Sequence, residues 1–305
     1  MERLMNSERK PNVFLAGAPK CGTTSLAYWL SQHPECYVSP KKEPHYFGDF
    51  LRKKMSLSEY ERLFLGASPA HKARIDASTS YFTMPEAIEQ IVNYRSDAKF
   101  IVMLRNPIDL AYSLHSESLF GGSENKPSFW EAWQLQEDRQ RGRRVPLACN
   151  NPKMLDYRQQ ALLGHALQGL LSYVPPSRIH WIFIEDLATD TPRVYSDVLG
   201  FLDLSGDQRT DFTSKNRSKQ NRFPRINRTM RAAGRFRSKI GLPGLGLRAA
   251  LNRYAHREVP REPLSDKLRR ELYSSFEEDI RLLEYLTGRD LGHWDPEQRE
   301  DVRQG

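Results

Sequence analysis

The chain has 305 residues, 39% of them hydrophobic, and a net charge of +8, enough apolar material for one substantial core. No run approaches the ~20 apolar residues of a membrane-spanning helix, and Met1 to Lys10 is polar rather than a signal core, so a soluble, cytoplasmic protein is expected. The three cysteines, Cys21, Cys36 and Cys149, have no paired or zinc-like spacing, which argues against a disulfide framework and fits a reducing compartment.

Asn12 to Ala18 (NVFLAGA) reads as a short buried strand. It passes through Pro19-Lys20-Cys21-Gly22-Thr23-Thr24 into a helix with Leu26, Trp29 and Leu30 on one face, and His33-Pro34 ends that helix. Lys99 to Leu104 is a second strand, and Asn106-Pro107 opens a helix through Ser113 toward Leu119. Gly121 to Pro127 reads as a loop, and Arg139 to Arg144 as a solvated helix end. Ile179 to Ile184 is a third strand, followed by a helix around Pro192 to Leu202. Strands alternating with helices imply right-handed crossovers, and hence an α/β, P-loop-like fold of three layers: a central parallel sheet flanked by helices.

Between Lys215 and Arg257 stand thirteen Lys or Arg and no Asp or Glu, so this segment alone carries the basic character. Within it Ile226, Met230, Ala233, Phe236 and Ile240 fall at helical spacing with arginines on the other faces, a basic amphipathic helix ended by Gly241 to Gly246. Such a field suits an anionic ligand, an acidic polymer or peripheral contact with an anionic membrane, and a merely solvated basic face has the same composition. Leu264 to Leu286 reads as one closing helix. A single domain is expected, with a nucleotide-binding α/β core at 11–205, the basic loop and amphipathic helix at 206–260, and a C-terminal helix and tail at 261–305.

A strand leading through a glycine turn into a helix aims backbone N–H groups and the positive end of the helix dipole at one point, which suits a phosphate. Here that point is Lys20 to Ser25. Gly17 and Gly22 have the spacing of a Walker A loop, yet Thr23 follows Gly22 where a nucleoside triphosphatase has Lys, and the lysine stands two places upstream at Lys20. That displacement argues against a hydrolase holding Mg²⁺ through a Lys-Ser/Thr pair.

At these residues the chain resembles the 3′-phosphoadenosine 5′-phosphosulfate (PAPS)-dependent sulfotransferases, in particular the heparan sulfate type and its bacterial relatives. The resemblance runs through PKCGTTSL, HPE at 33–35, KKEPHYF at 41–47, IDASTSYF at 75–82, LRNPIDLAYS at 104–113 and IEDL at 184–187, and more weakly through LTGRDLGHW. Each motif is weak alone; their joint order is specific. The resemblance implies PAPS as co-substrate, PAP as product, a hydroxyl- or amine-bearing acceptor, no metal and no nucleic-acid partner. It places the 5′-phosphosulfate on Lys20, Cys21, Gly22, Thr23, Thr24 and Ser25, with Lys20 near the bridging oxygen, where charge grows as PAP leaves. It gives the 3′-phosphate to Arg105 and Ser113, although an arginine at a strand end pairs equally well with a carboxylate. Ser218 to Pro224 resembles the family's late basic loop, which adds Lys219 and Arg222.

By the same resemblance Glu43 is the catalytic base and His45 its auxiliary; taken alone, a Glu beside Lys41 and Lys42 reads as a surface ion pair. The chain departs from the heparan sulfate pattern at Ala77, where those enzymes carry a second lysine, at Gly48, where they carry Asp, and at Gln220, where they carry Gly. A different acceptor is therefore expected. The rival readings are a P-loop nucleotide kinase, which would need Mg²⁺ and turn over ATP, and a non-catalytic polyanion-binding module.

Overall fold

The structure is a computed structural model that describes residues 9–49, 55–149, 151–213 and 263–298 in full and the backbone at 219–221 and 256–258. Five strands form one sheet: β1 (Val13–Gly17), β2 (Cys36–Val38), β3 (Ala73–Asp76), β4 (Lys99–Leu104) and β5 (Ile179–Phe183). Their order is β2-β3-β1-β4-β5 and every pairing is parallel. A parallel sheet is covered on both faces, so its strands are apolar throughout: all of β1 is buried, and Phe100 to Leu104 of β4 is 0% exposed.

The helices are α1 (Thr23–Leu30), α2 (Leu57–Arg62), α3 (Pro85–Tyr94), α4 (Pro107–Gly121), α5 (Phe129–Gln134), α6 (Gln136–Gln140), α7 (Tyr157–Ala161), α8 (Leu163–Leu171), α9 (Ile184–Thr189), α10 (Thr191–Phe201), α11 (Asp266–Tyr273) and α12 (Glu277–Thr287). The chain forms two compact units, the first from 1–106, 163–216 and 278–291 and the second from 107–162, 217–277 and 292–305. The first holds the sheet with α1 to α3, α8 to α10 and α12. Its HPE motif is a structural clasp: His33 meets the Ser205 carbonyl at 2.9 Å, and Glu35 pairs with Lys72 and accepts the Ser205 N–H at 2.7 Å.

The second unit holds α4 to α7, α11 and a small antiparallel pair, β6 (Lys219–Asn221) with β7 (His256–Glu258). Arg139 is not part of a solvated helix end. It is 1% exposed, and its guanidinium forks onto the fully buried Glu124 at 2.6 and 2.7 Å, while Arg141, Arg143 and Arg144 stay exposed. The expected closing helix at 264–286 is two helices broken at Ser274–Phe276. There the Ser274 hydroxyl turns back onto the Glu271 carbonyl at 3.0 Å, competing with the helical ladder, and Phe276 is fully buried against Trp133. The basic amphipathic helix expected at 226–240 lies outside the described residues. Among the described residues no helix is long and apolar enough to cross a membrane.

Candidate active site

The turn from β1 into α1 is shaped for backbone rather than side-chain contact. Lys20 has φ +65° and Gly22, the N-cap, φ +93°. Position 22 favours glycine for its conformation, and a Cβ there would also press on the side-chain ends of Leu187 at 3.2 Å and Met103 at 3.3 Å. The N-terminus of α1 has no side-chain cap hydrogen bond and no acidic residue in its first turn, so its dipole favours an anion there, while the Ser25 N–H closes onto the Gly22 carbonyl at 2.9 Å. Cys21 contributes backbone only: burial pushes its thiol up to about 12, against the opposing charges of Arg105 and Lys20, and its Sγ lies 3.5 Å from the Pro19 carbonyl.

Arg105, at the end of β4, donates to the Lys20 carbonyl at 3.0 Å and so buttresses the loop. Ser113 lies on α4 in the second unit; it is 1% exposed, and its Oγ is buried without a hydrogen-bond partner among the described residues. A buried hydroxyl left unsatisfied is costly, and a bound polar group is one reason for a protein to keep it. Lys219 lies in β6, where the backbone alone is described, and Arg222 lies outside the described residues.

The segment carrying Glu43 is held in an uncommon conformation. Among the described residues six non-glycines have positive φ, and three of them are Lys20, Glu43 (+52°) and His45 (+48°). Such conformations cost on the order of 1–3 kcal/mol each and persist where surrounding structure over-determines them. Here Phe47, 3% exposed, packs edge-on to Phe14 of β1 at 5.9 Å and to Tyr81 at 5.8 Å, and its burial contributes about 1.5–3 kcal/mol. One aromatic anchor thus offsets about one strained residue.

Glu43 and His45 form a dyad, Oε2 to Nε2 at 3.3 Å, with Lys42 3.7 Å from the other carboxylate oxygen. His45 Nδ1 lies 2.8 Å from Ser80 Oγ. With Ser80 donating to Nδ1, the neutral ring presents its Nε2–H to Glu43, and both nitrogens are satisfied. Burial pushes the Glu43 carboxyl up, but the hydrogen bond from His45 and the charge of Lys42 outweigh it, and the group sits below the usual carboxylate value.

Thr23 and Thr24 at the head of α1 and Glu43 line one cleft of about 290 Å³, with Ala27, Tyr28, Val38, Pro40 and Ala77 among its apolar walls and Lys41 and Lys42 beside Glu43. The structure therefore brings the first residues of α1, Thr23 and Thr24, and the Glu43 side chain to one cavity. The wall residues Tyr28, Ser39 and Thr79 were not singled out in the sequence, and Ala77 entered only as a departure from the heparan sulfate pattern. Their signal was present: Tyr28 lies one turn past Thr24 on the same helix, and Ala77 and Thr79 follow β3 directly. Among the described residues no group of three or more His, Cys, Asp or Glu is arranged to hold a metal ion.

Comparison with known proteins agrees with this geometry. The model of the sulfotransferase domain matches residues 10–239. The chain is 26% identical over 207 residues to heparan sulfate glucosamine 3-O-sulfotransferase 5 of Mus musculus and of Homo sapiens, covering 65% of this chain and 54% of the relative. It is 32% identical over 160 residues to carbohydrate sulfotransferase 15 of Mus musculus, over 38% of this chain and 28% of that one. The chain thus spans about half or less of the length of these relatives. A crystal structure of a sulfotransferase from Alicyclobacillus acidocaldarius superposes with a TM-score of 0.69 at 28% identity, covering 93% of this chain and 98% of that one. With three quarters of its length matched by the domain model, the chain belongs to the sulfotransferase family.

Proposed function

We propose that the protein transfers a sulfuryl group from PAPS to a hydroxyl or amine of an acceptor, releasing PAP. The observation that carries this reading is the single cleft lined by both the uncapped head of α1 and Glu43. PAPS supplies the sulfuryl group. The N–H groups of the 20–25 turn bind the 5′-phosphosulfate, and Lys20 places a cation beside the bridging oxygen, where negative charge appears only as the reaction proceeds. Glu43 takes the acceptor's proton, and His45 orients its carboxylate. The acceptor atom bonds to sulfur as the bond from sulfur to the bridging oxygen breaks, and the electron pair of that bond leaves with PAP. Arg105 and the buried hydroxyl of Ser113 are, by the family resemblance, the residues for the 3′-phosphate, each testable by its own substitution.

Glu43→Gln should leave PAP binding nearly intact and lower the transfer rate by about 10²- to 10⁴-fold, measured with labelled PAPS and an acceptor panel. Lys20→Ala should fold normally and lose at least ~10²-fold. Because the Glu43 carboxyl lies below its ordinary value, the acid limb of the rate should fall below the usual glutamate range near ~4.3. Activity in EDTA, and stronger inhibition by PAP than by AMP, complete the test. A strict Mg²⁺ requirement with ATP turnover would replace this reading with a kinase.

A further inference from the structure

The segment 43–47 makes few hydrogen bonds to regular backbone; its amides end instead on two side chains that follow β3. The His45 N–H donates to Ser78 Oγ at 3.0 Å, and the Tyr46 and Phe47 N–H groups both donate to the Tyr81 hydroxyl, at 2.9 and 3.4 Å. An oxygen that accepts backbone N–H bonds must direct its own proton elsewhere, and both hydroxyls direct it to one carboxylate. Ser78 donates to Asp76 Oδ1 at 2.6 Å and Tyr81 to Asp76 Oδ2 at 3.1 Å. Tyr60 donates to the same Oδ2 at 2.7 Å but has no hydrogen bond to the 43–47 backbone in this network. Asp76, Ser78 and Tyr81 are all buried, Asp76 and Ser78 at 0% exposure. Burial, then the charge of Asp76, pushes the Tyr81 phenol far up, so it keeps the proton it donates.

We infer that Asp76, through Ser78 and Tyr81, is the positioning device of the acid-base segment: it polarises two hydroxyls that grip three consecutive amides and so hold Glu43 and His45 in their left-handed conformations. The inference rests on the reading of Glu43 as the base. Asp76 is not among the residues lining the cleft; it acts through the two hydroxyls, and Ser80, from the same stretch of chain, meets His45 Nδ1 at 2.8 Å.

Tyr60 and Tyr81 provide a matched pair, since each buried phenol donates to the same carboxylate oxygen and each ring packs on the segment, while only the Tyr81 hydroxyl also accepts the segment's N–H groups; a Phe in either place keeps the ring. Tyr60→Phe and Tyr81→Phe should lower thermal stability to a similar degree. Tyr81→Phe alone should lower kcat by about 10- to 100-fold with PAP affinity unchanged, because a small misplacement of a catalytic group costs that much. Its acid limb should move upward as Glu43 loses its aligned partner. Hydrogen exchange reads the grip directly: the Tyr46 and Phe47 amides should exchange at least ~10-fold faster in Tyr81→Phe and at the wild-type rate in Tyr60→Phe. Equal kcat in the two variants, or protected amides in Tyr81→Phe, would overturn the inference while leaving Glu43 as the base. Full activity in Glu43→Gln would overturn it at its premise, and the exchange difference would then still show that the network holds the segment.

Discussion

Among the described residues two carboxylates, Asp76 and Glu124, are completely withdrawn from solvent, and they solve the problem of burial in opposite ways. Glu124, in the second unit, accepts both arms of the Arg139 guanidinium, the Tyr157 hydroxyl at 2.7 Å, and the N–H groups of Asn125 and Lys126 at 2.7 and 2.9 Å. Asp76, in the first unit, is met by three hydroxyls, and among the described residues no cation bonds to it. Burial raises both carboxyls. At Glu124 the hydrogen bonds of Arg139, Tyr157 and Lys126 outweigh it and hold the group below its ordinary value; at Asp76 the bonds from Ser78, Tyr60 and Tyr81 do not, and the group stays above it. A charge neutralised in place serves as a strut, locking the 122–128 loop between α4 and α5. A carboxylate held by hydroxyls alone is costlier, and two of its hydroxyls grip the backbone of residues 45–47 in return.

The largest effect expected from breaking this contrast is on the strut. Arg139→Met keeps the bulk and removes the only side-chain cation bonded to Glu124 among the described residues, leaving a buried carboxylate uncompensated. Such losses cost about 3–5 kcal/mol, which is a large part of the stability of an ordinary domain. Chemical denaturation should show that drop, and Arg139→Met/Glu124→Gln should recover part of it, because the second change removes the stranded charge. No recovery would mean that Arg139 acts through packing.

A smaller effect separates the two carboxylates by the sign of their pH dependence. Glu124 has its folded value below its unfolded one, so its contribution is present above the unfolded value near ~4.3 and is lost as pH falls through the folded value. Asp76 is raised, so between its unfolded value near ~3.9 and its folded value the native state holds the extra proton, and stability falls as pH rises through that window. Asp76→Asn should therefore steepen the net gain of stability with pH in mild acid, and Glu124→Gln should flatten it. Denaturation midpoints measured at several pH values between ~3 and 7 check both signs, and slopes that move together would refute the assignment.

Three of the five strands, β1, β4 and β5, and the turn between β1 and α1 were legible in the sequence because their causes are local, while the short β2 and β3 were not read as strands. Lys99 to Leu104 is an unbroken apolar run, as a strand covered on both faces must be, and the Gly-Lys-Gly-Thr-Thr punctuation from Gly17 marks a turn that only certain residues can make. Glu43 and His45 were singled out through the family pattern around them, and the cleft brings Glu43 together with the head of α1. What was not legible depends on contacts across the chain. Arg139 sits among Arg141, Arg143 and Arg144, and only the fold, by turning Glu124 inward, distinguishes it from them. The break at Ser274–Phe276 is hidden because Leu272, Phe276, Ile280 and Leu283 keep helical spacing straight through it. The Asp76 network joins Tyr60 to residues 76–81, and no spacing rule connects a hydroxyl to a carboxylate sixteen positions away.

The smallest expected effect compares single phenols on the two carboxylates. Tyr157→Phe removes one donor from Glu124, which keeps the Arg139 fork and two backbone N–H groups; Tyr60→Phe removes one of the three donors that Asp76 has among the described residues. A hydrogen bond to a charged group contributes about 1.5–3 kcal/mol, and the loss approaches the lower figure where remaining donors can close in and the upper where the carboxylate is left under-satisfied. Tyr157→Phe should therefore cost about 1.5 kcal/mol and vary little from pH 5 to 8, because Glu124 stays ionised against Arg139. Tyr60→Phe should cost more near neutral pH and less in acid, because Asp76 can take up a proton in place of the lost bond. Equal costs with equal pH dependence would mean that the hydroxyls, and not the guanidinium, set how each carboxylate tolerates burial.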